Sequence, residues 1–378
     1  MNRSALLFSI LIILGLSLIL SRTHPRNDSS VTIGAILCLS GECSEWGVNS
    51  KNGILLAQEE INAQGGILGK NLEVIFQDSK ESQSPVQALD AYRQLKSTRN
   101  TSLFIGPTWG PAGLLLIPVL RASDDIMTSP SLGLADFNEA SDNLFNVWPH
   151  DEIGTRTLAR YAREQGYTRI AVFSSQQPWE QAQGAIFAEE IERVGGSITR
   201  QVEPMPTQND LKPEAMSIVR SKPELVFVST ISRMSLAARE LRRLGFDGPI
   251  YAVILDRTRL RDAQGALENA ITVVYPESTA SFQTRFKERF GENPGISADT
   301  AYDTLMLYAK AIEQAGSLDP LRVREALSSI SLHGASGEIS FDTKGAISRI
   351  PILRQAFGLT LQPLAGNARE KHDLSDSL

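Results

Sequence analysis

The sequence predicts an α/β protein of two lobes, each a parallel sheet flanked by helices. Three observations carry this. Strand-like and helix-like segments alternate almost without exception from residue 31 to residue 253, an order that makes strands parallel and puts helices on both faces. The rhythm breaks at 145–149, 272–276 and 334–341, which read as three crossings between lobes. With 378 residues, 42% hydrophobic and 21% charged, the chain is long and apolar enough for two cores.

In order, 31–37 reads as a strand, followed by a long loop of small residues. A helix over 52–63 carries Ile54, Leu55, Ala57 and Ile61 on one side and stops at Gly65-Gly66. Residues 72–77 form a strand. Ser84-Pro85 starts a helix whose buried stripe is Val86, Leu89, Tyr92 and Leu95. A strand at 102–105, a helix at 111–121 and a strand at 126–128 follow. After the first crossing a helix runs to Gln165-Gly166. Strands at 170–173, 197–202, 225–229 and 250–253 then alternate with helices at 180–194, 211–220 and 232–244. Helices at 278–290 and 297–314 return to the first lobe, and a short strand within 334–345 precedes the last return. The expected boundaries are 31–148 and 276–340 for lobe 1, 149–275 and 341–364 for lobe 2, with a polar tail at 365–378.

A net charge of −6 leaves no broad cationic surface, which argues against nucleic acid as a partner. The four histidines are scattered and two cysteines give no metal-ligand spacing, so no metal and no cofactor is expected. No G-x-G-x-x-G, P-loop, G-x-S-x-G or H-E-x-x-H occurs. No catalytic residue is assigned, and an enzyme is not expected. Glu59-Glu60 and Glu189-Glu190 are helix neighbours that read as solvated faces.

Residues 1–30 read as a signal peptide or an uncleaved N-terminal anchor plus a linker. Arg3 precedes an apolar run at 5–20, slightly short of the ~20 residues that span a bilayer. Either way the rest of the chain is expected outside the cytoplasm, in the periplasm or its equivalent. In that compartment Cys38 and Cys43 can form a disulfide; the alternative is two buried thiols.

Several motifs recur in a fixed order. They are Ile33-Gly34, Leu39-Ser40-Gly41 and Trp46-Gly47, the segment LAQEEINAQGGILGK at 56–70, Asp78, Ile105-Gly106-Pro107, Ser129-Pro130-Ser131, and GEISFDTKG at 337–345. In this order the chain, over 31–364, resembles the type I periplasmic solute-binding proteins of the leucine/isoleucine/valine-binding family. The resemblance implies that fold, closing like a clam, and an exported substrate-binding protein of an ABC importer. Such a protein captures a small polar organic solute (branched-chain-amino-acid-like, amide- or urea-like, or a short carboxylate) and hands it to a membrane permease. The alternative is a membrane-anchored ligand sensor on the same fold.

In that family one lobe holds a carboxylate with hydroxyls and backbone N–H groups from two loops, where helix N-termini favour an anion. Matching positions here are Thr108, Trp109 and Gly110 in the first loop, and Ser129 and Ser131 in the second. Gly110 and Gly133 stand where amino-acid binders carry a serine and a threonine. Trp46 and Trp179 match the aromatic walls, with Trp109 in the pocket floor. Thr230, Asp256 and Arg257 follow second-lobe strands. Asp256 either holds an ammonium or pairs with Arg257 or Arg259, and an inward Arg257 makes the ligand's other end anionic. Asp78 is expected to fix a loop by hydrogen bonds.

Overall fold

A computed structural model describes residues 30–99 and 101–364; the expected leader and polar tail lie outside the described residues. Its chain builds two layers. The first sheet contains β1 (Ser30–Leu37), β2 (Asn71–Asp78), β3 (Leu103–Ile105), β4 (Ile126–Ser129) and β5 (Leu144–Asn146). They are all parallel, in the order β2-β1-β3-β4-β5. Helices α1 (Ser44–Ala63), α2 (Val86–Arg99), α3 (Gly110–Arg121) and the single turn α4 (Ala135–Asn138) connect them.

After α5 (Asp151–Glu164) the second layer begins with β6 (Arg169–Phe173), α6 (Pro178–Arg193), β7 (Ser197–Val202) and α7 (Lys212–Arg220). It continues with β8 (Leu225–Val228), α8 (Met234–Arg243), β9 (Ile250–Ala252), α9 (Arg257–Asp262) and β10 (Ile271–Val274). The chain then returns to the first core. Phe282 and Phe286 of α10 (Ala280–Phe290), and Tyr302 and Tyr308 of α11 (Ala298–Ala315), are buried with Ile33 and Ile54. α12 (Pro320–Ser329) and the hairpin of β11 (Ser331–Gly334) and β12 (Gly337–Ser340) follow. β13 (Ile352–Phe357) and β14 (Thr360–Pro363) finally join the second sheet antiparallel, giving the order β14-β13-β10-β9-β8-β6-β7.

The central strands are apolar runs because both faces are covered; all four residues of β8 are buried. α1 packs on α11 through Gly53, where a Cβ would overlap the Ala298 carbonyl.

Four sequence expectations change. α1 starts eight residues earlier than its apolar pattern, at Ser44 rather than Asn52, so Trp46 lies on a helical first turn and not in a loop. The stripe of α2 is Ala88, Ala91, Tyr92 and Leu95, with Val86 exposed. Residues 144–146 and 271–274 are strands, because each finds a neighbour to pair with at a sheet edge or interior. The segment at 331–340 holds two paired strands rather than one, after an unforeseen helix.

The turn after β1 is fixed covalently and by hydrogen bonds. Cys38 and Cys43 are joined in a disulfide with Cα atoms 5.7 Å apart, an ordinary separation. Asp78 accepts from Leu39 N at 2.9 Å and Ser40 Oγ at 2.6 Å, the loop-fixing role expected of it. Among the described residues no helix is long and apolar enough to cross a membrane.

Candidate ligand-binding site

The loops that follow the strands of both sheets converge on a cavity of about 220 Å³. From the first layer come Trp46, Glu81, Thr108, Trp109, Gly110, Ser131 and Gly133; from the second, Asp151, Gln177, Trp179, Glu180, Ile231 and Ile254. Open parallel sheets bind ligands at this end because strand ends and helix starts expose backbone donors there.

Three tryptophans form walls. Trp46 is buried on the first turn of α1, its ring 5.6 Å from that of Trp148. Trp109 is the residue before α3, and Trp179 is the second residue of α6. Gln177 caps α6, its Oε1 accepting from Glu180 N at 3.0 Å, with Pro178 at the first helical position. Gln177→Ala is expected to cost about 1 kcal/mol by urea unfolding, the usual loss of a side-chain cap. An unchanged midpoint would show that Pro178 alone starts the helix.

Three buried carboxyl groups share the cavity. Glu81 accepts from Thr108 N and Trp109 N, both at 3.1 Å, and from Ser79 Oγ at 3.0 Å. It thus takes up the loop donors ahead of α3 that an incoming anion would use. Burial pushes its carboxyl up to about 7 even against those bonds. Asp151 accepts from Trp148 Nε1 at 3.0 Å and Trp179 Nε1 at 2.9 Å. Burial likewise raises it to about 7. Its carboxyl lies directly over Gly133, where any Cβ would overlap it. Glu180 accepts from Ile231 N at 2.7 Å and from Ser175 Oγ, and burial raises its pKa too.

Of the residues expected from sequence, Trp46, Thr108, Trp109, Gly110, Ser131 and Trp179 meet in this cavity. Both hydroxyls there are engaged: Thr108 Oγ1 accepts from Cys38 N at 2.9 Å, and Ser131 Oγ donates to Thr108 O at 3.0 Å. Ser129 does not line the cavity; it stitches the two loops, donating to Pro107 O at 2.8 Å and accepting from Leu132 N at 3.0 Å. Thr230 is buried and lines neither this cavity nor the larger one described below. Asp256 caps α9 through Arg259 N at 2.8 Å and pairs with the Arg259 guanidinium.

Asp256 and the exposed Arg257 line a second, larger cavity of about 500 Å³ with Glu45, Tyr275, Asp299 and Arg349. The two cavities share Asp151 and Ile254. The smaller one is the better ligand site, because loops of both sheets and three indoles meet there. Beside the larger one a hydrogen bond from Thr258 Oγ1 to Glu45 Oε2 at 2.7 Å ties the layers together.

Glu81, Asp151 and Glu180 were not foreseen. Asp151 had one sequence signal, its place just after Trp148-Pro149-His150 where the strand rhythm breaks. Glu180 adjoins Trp179, and Glu81 lies in the turn after Asp78.

Comparison with known proteins agrees with this fold. The family model described as periplasmic binding protein matches residues 30–352. The chain is 20% identical over 328 residues to the leucine-, isoleucine-, valine-, threonine- and alanine-binding protein of Pseudomonas aeruginosa, covering 81% of this chain and 84% of that one. The crystal structure of a leucine-binding protein from Thermotoga maritima shares the fold with a TM-score of 0.82 at 22% identity, covering 89% of this chain and 98% of that one. So does a solute-binding protein of an ABC transporter from Rhodopseudomonas palustris in complex with 3,4-dihydroxybenzoic acid, with a TM-score of 0.78, 19% identity, and coverage of 89% and 96%. Motifs, topology and a family match over most of the chain agree: the protein belongs to the periplasmic binding protein family, among the type I solute-binding proteins of the leucine/isoleucine/valine-binding kind.

Proposed function

We propose that this chain is the extracytoplasmic substrate-binding component of an ABC importer. It captures a small polar organic solute between its two layers and delivers it unchanged to a permease. The observation that carries this reading is the cavity of about 220 Å³ walled by indoles from both layers. A guest there touches Trp46 and Trp109 on one side and Trp179 on the other, so binding favours the state in which the layers close. Relatives that bind amino acids or a dihydroxybenzoic acid support a solute of that size.

The purified mature protein is to be screened by thermal shift against amino acids, amides, amines and short carboxylates, with small-angle scattering on each hit. A ligand at a hundred times its Kd is expected to stabilise by about 2.7 kcal/mol and to shrink the radius of gyration. If no solute shifts the melting temperature, or a hit is chemically converted, the reading is wrong.

A further inference from the structure

We propose that the cleft selects a small organic cation bearing an oxygen acceptor, held by Glu81, Asp151 and Glu180 between the indoles of Trp46, Trp109 and Trp179. This rests on the reading of the cleft as a solute-capture site, and it assigns the sign of the solute.

The charge of the lining favours a cation. Glu42, Glu81, Asp151 and Glu180 line the cavity, and no Lys, Arg or His is among its described lining residues. Arg259, whose positive charge acts on Glu180, is already bonded to Asp256 and to Ile231 O at 3.1 Å. The anion anchors are also occupied. The resemblance gives a ligand carboxylate two anchors, and the protein's own carboxyls fill both. Glu81 takes the Thr108 and Trp109 N–H groups, and Asp151 covers Gly133. Once these carboxyls are ionised, a guest carboxylate entering there meets like charge from each of them, whereas a cation meets partners already in place.

The walls suit a cation as well. Indole is the aromatic ring that attracts a cation most strongly, and three of the chain's four tryptophans line this one cavity. The fourth, Trp148, holds Asp151 from behind. One donor is free. Trp46 is 3% exposed and its Nε1 has no hydrogen-bond partner among the described residues. The nitrogen itself is sealed in the guest-free protein, so a small shift of the Trp46 ring on binding brings it to a hydroxyl or ether oxygen of the guest, the acceptor a buried N–H calls for. Burial holds Glu81 and Asp151 near 7, so both release a proton readily when a cation arrives.

The test uses the mature protein near pH 8 and three guests of matched shape: choline, its uncharged isostere 3,3-dimethylbutan-1-ol, and the anion 3,3-dimethylbutanoate. Calorimetric titration is expected to give choline a Kd at least about tenfold below that of the neutral isostere, the scale of one desolvated cation–π contact, and no binding of the anion. Tetramethylammonium, lacking the hydroxyl, is expected to bind severalfold more weakly than choline. Trp46→Phe keeps the wall and removes the donor, so it should erase the difference between those two cations.

Binding of the anion or the neutral isostere as tight as that of choline overturns the cation assignment while leaving solute capture intact. A Trp46→Phe variant that still prefers choline to tetramethylammonium overturns the acceptor assignment. Silence from all four guests overturns the cation assignment. If the amino acids, amides and carboxylates of the broader screen are silent as well, solute capture falls with it.

Discussion

Gly133→Thr is expected to lower stability by about 3 kcal/mol, and Asp151→Ala to lower it by a similar amount, yet the double variant should lose far less than the sum. The reasoning is steric first. A Cβ at Gly133 would overlap the carboxyl carbon and both oxygens of Asp151. A carboxyl at the end of a free side chain would swing aside at little cost, but this one is held by the indole N–H groups of Trp148 and Trp179 at 3.0 and 2.9 Å. Displacing it leaves the buried Trp179 donor and the partly buried Trp148 donor unpaired, at roughly 1–3 kcal/mol for the first and less for the second.

Asp151→Ala strands the same two donors, so each single change forfeits the same bonds. In the double variant they are lost once, and the threonine occupies space the carboxyl vacated. The expected coupling is therefore about 2 kcal/mol, well above the few tenths found between independent sites. Equilibrium urea unfolding of the four proteins measures it. Simple additivity would show that the glycine is not there to make room for the acid.

What sequence could reveal follows from which interactions are local. The strands were legible because parallel strands covered on both faces are short apolar runs, as in Leu103-Phe104-Ile105 and β8. The first half of α1 was not. Its buried side there is Trp46, Gly47, Ser50 and Gly53, small residues that let the helix press against the backbone of Cys38 and Ala298. Hydrophobic periodicity does not register a buried glycine or serine. The same blindness moved the α2 stripe, where Ala88 and Ala91 are buried in the core, Leu89 only packs at its margin and Val86 is exposed.

The indoles of the cleft were visible because tryptophan is rare and sat at matching positions. Its acids were not, because a carboxylate in a loop or a helix's first turn reads as solvated until the partners that bury it arrive from elsewhere in the chain. Glu81 is bonded 27 residues away and Glu180 51 residues away. Glu190 repeats the lesson on a helix: expected on a solvated face, its side chain is 1% exposed, enclosed by Arg156, Arg160 and Arg193.

The ligand-free protein is expected to be most stable near pH 5 and to lose stability as pH rises toward 8. Burial lifts Glu81 and Asp151 from ordinary values of 4.5 and 3.8 to about 7, and Asp299 from 3.8 to about 6. Between those limits the folded chain binds more protons than the unfolded one, so the slope of unfolding free energy with pH is negative. The stability these groups contribute is complete below about pH 4 and is lost as pH climbs through their folded pKa values. Glu190 acts oppositely. Hydrogen bonding to Arg193, then to Arg160, holds it at about 2, so its contribution is lost only as pH falls below 4.5, outside the window in question.

Each pKa unit corresponds to about 1.4 kcal/mol, and the raised groups together amount to several kcal/mol. Urea unfolding at pH 5, 6.5 and 8 reads the fall directly; a flat or rising profile would mean these carboxyls stay ionised inside the fold. Asp151→Asn removes one titrating group and should make the slope shallower, while still offering an acceptor to one of the two indoles. The sign of the guest enters the same experiment. A saturating cation favours the ionised carboxyls and flattens the profile, because its binding releases protons. A saturating carboxylate favours the protonated ones and steepens it. The pH dependence of stability with and without ligand thus reports the charge preference of the cleft independently of any affinity comparison.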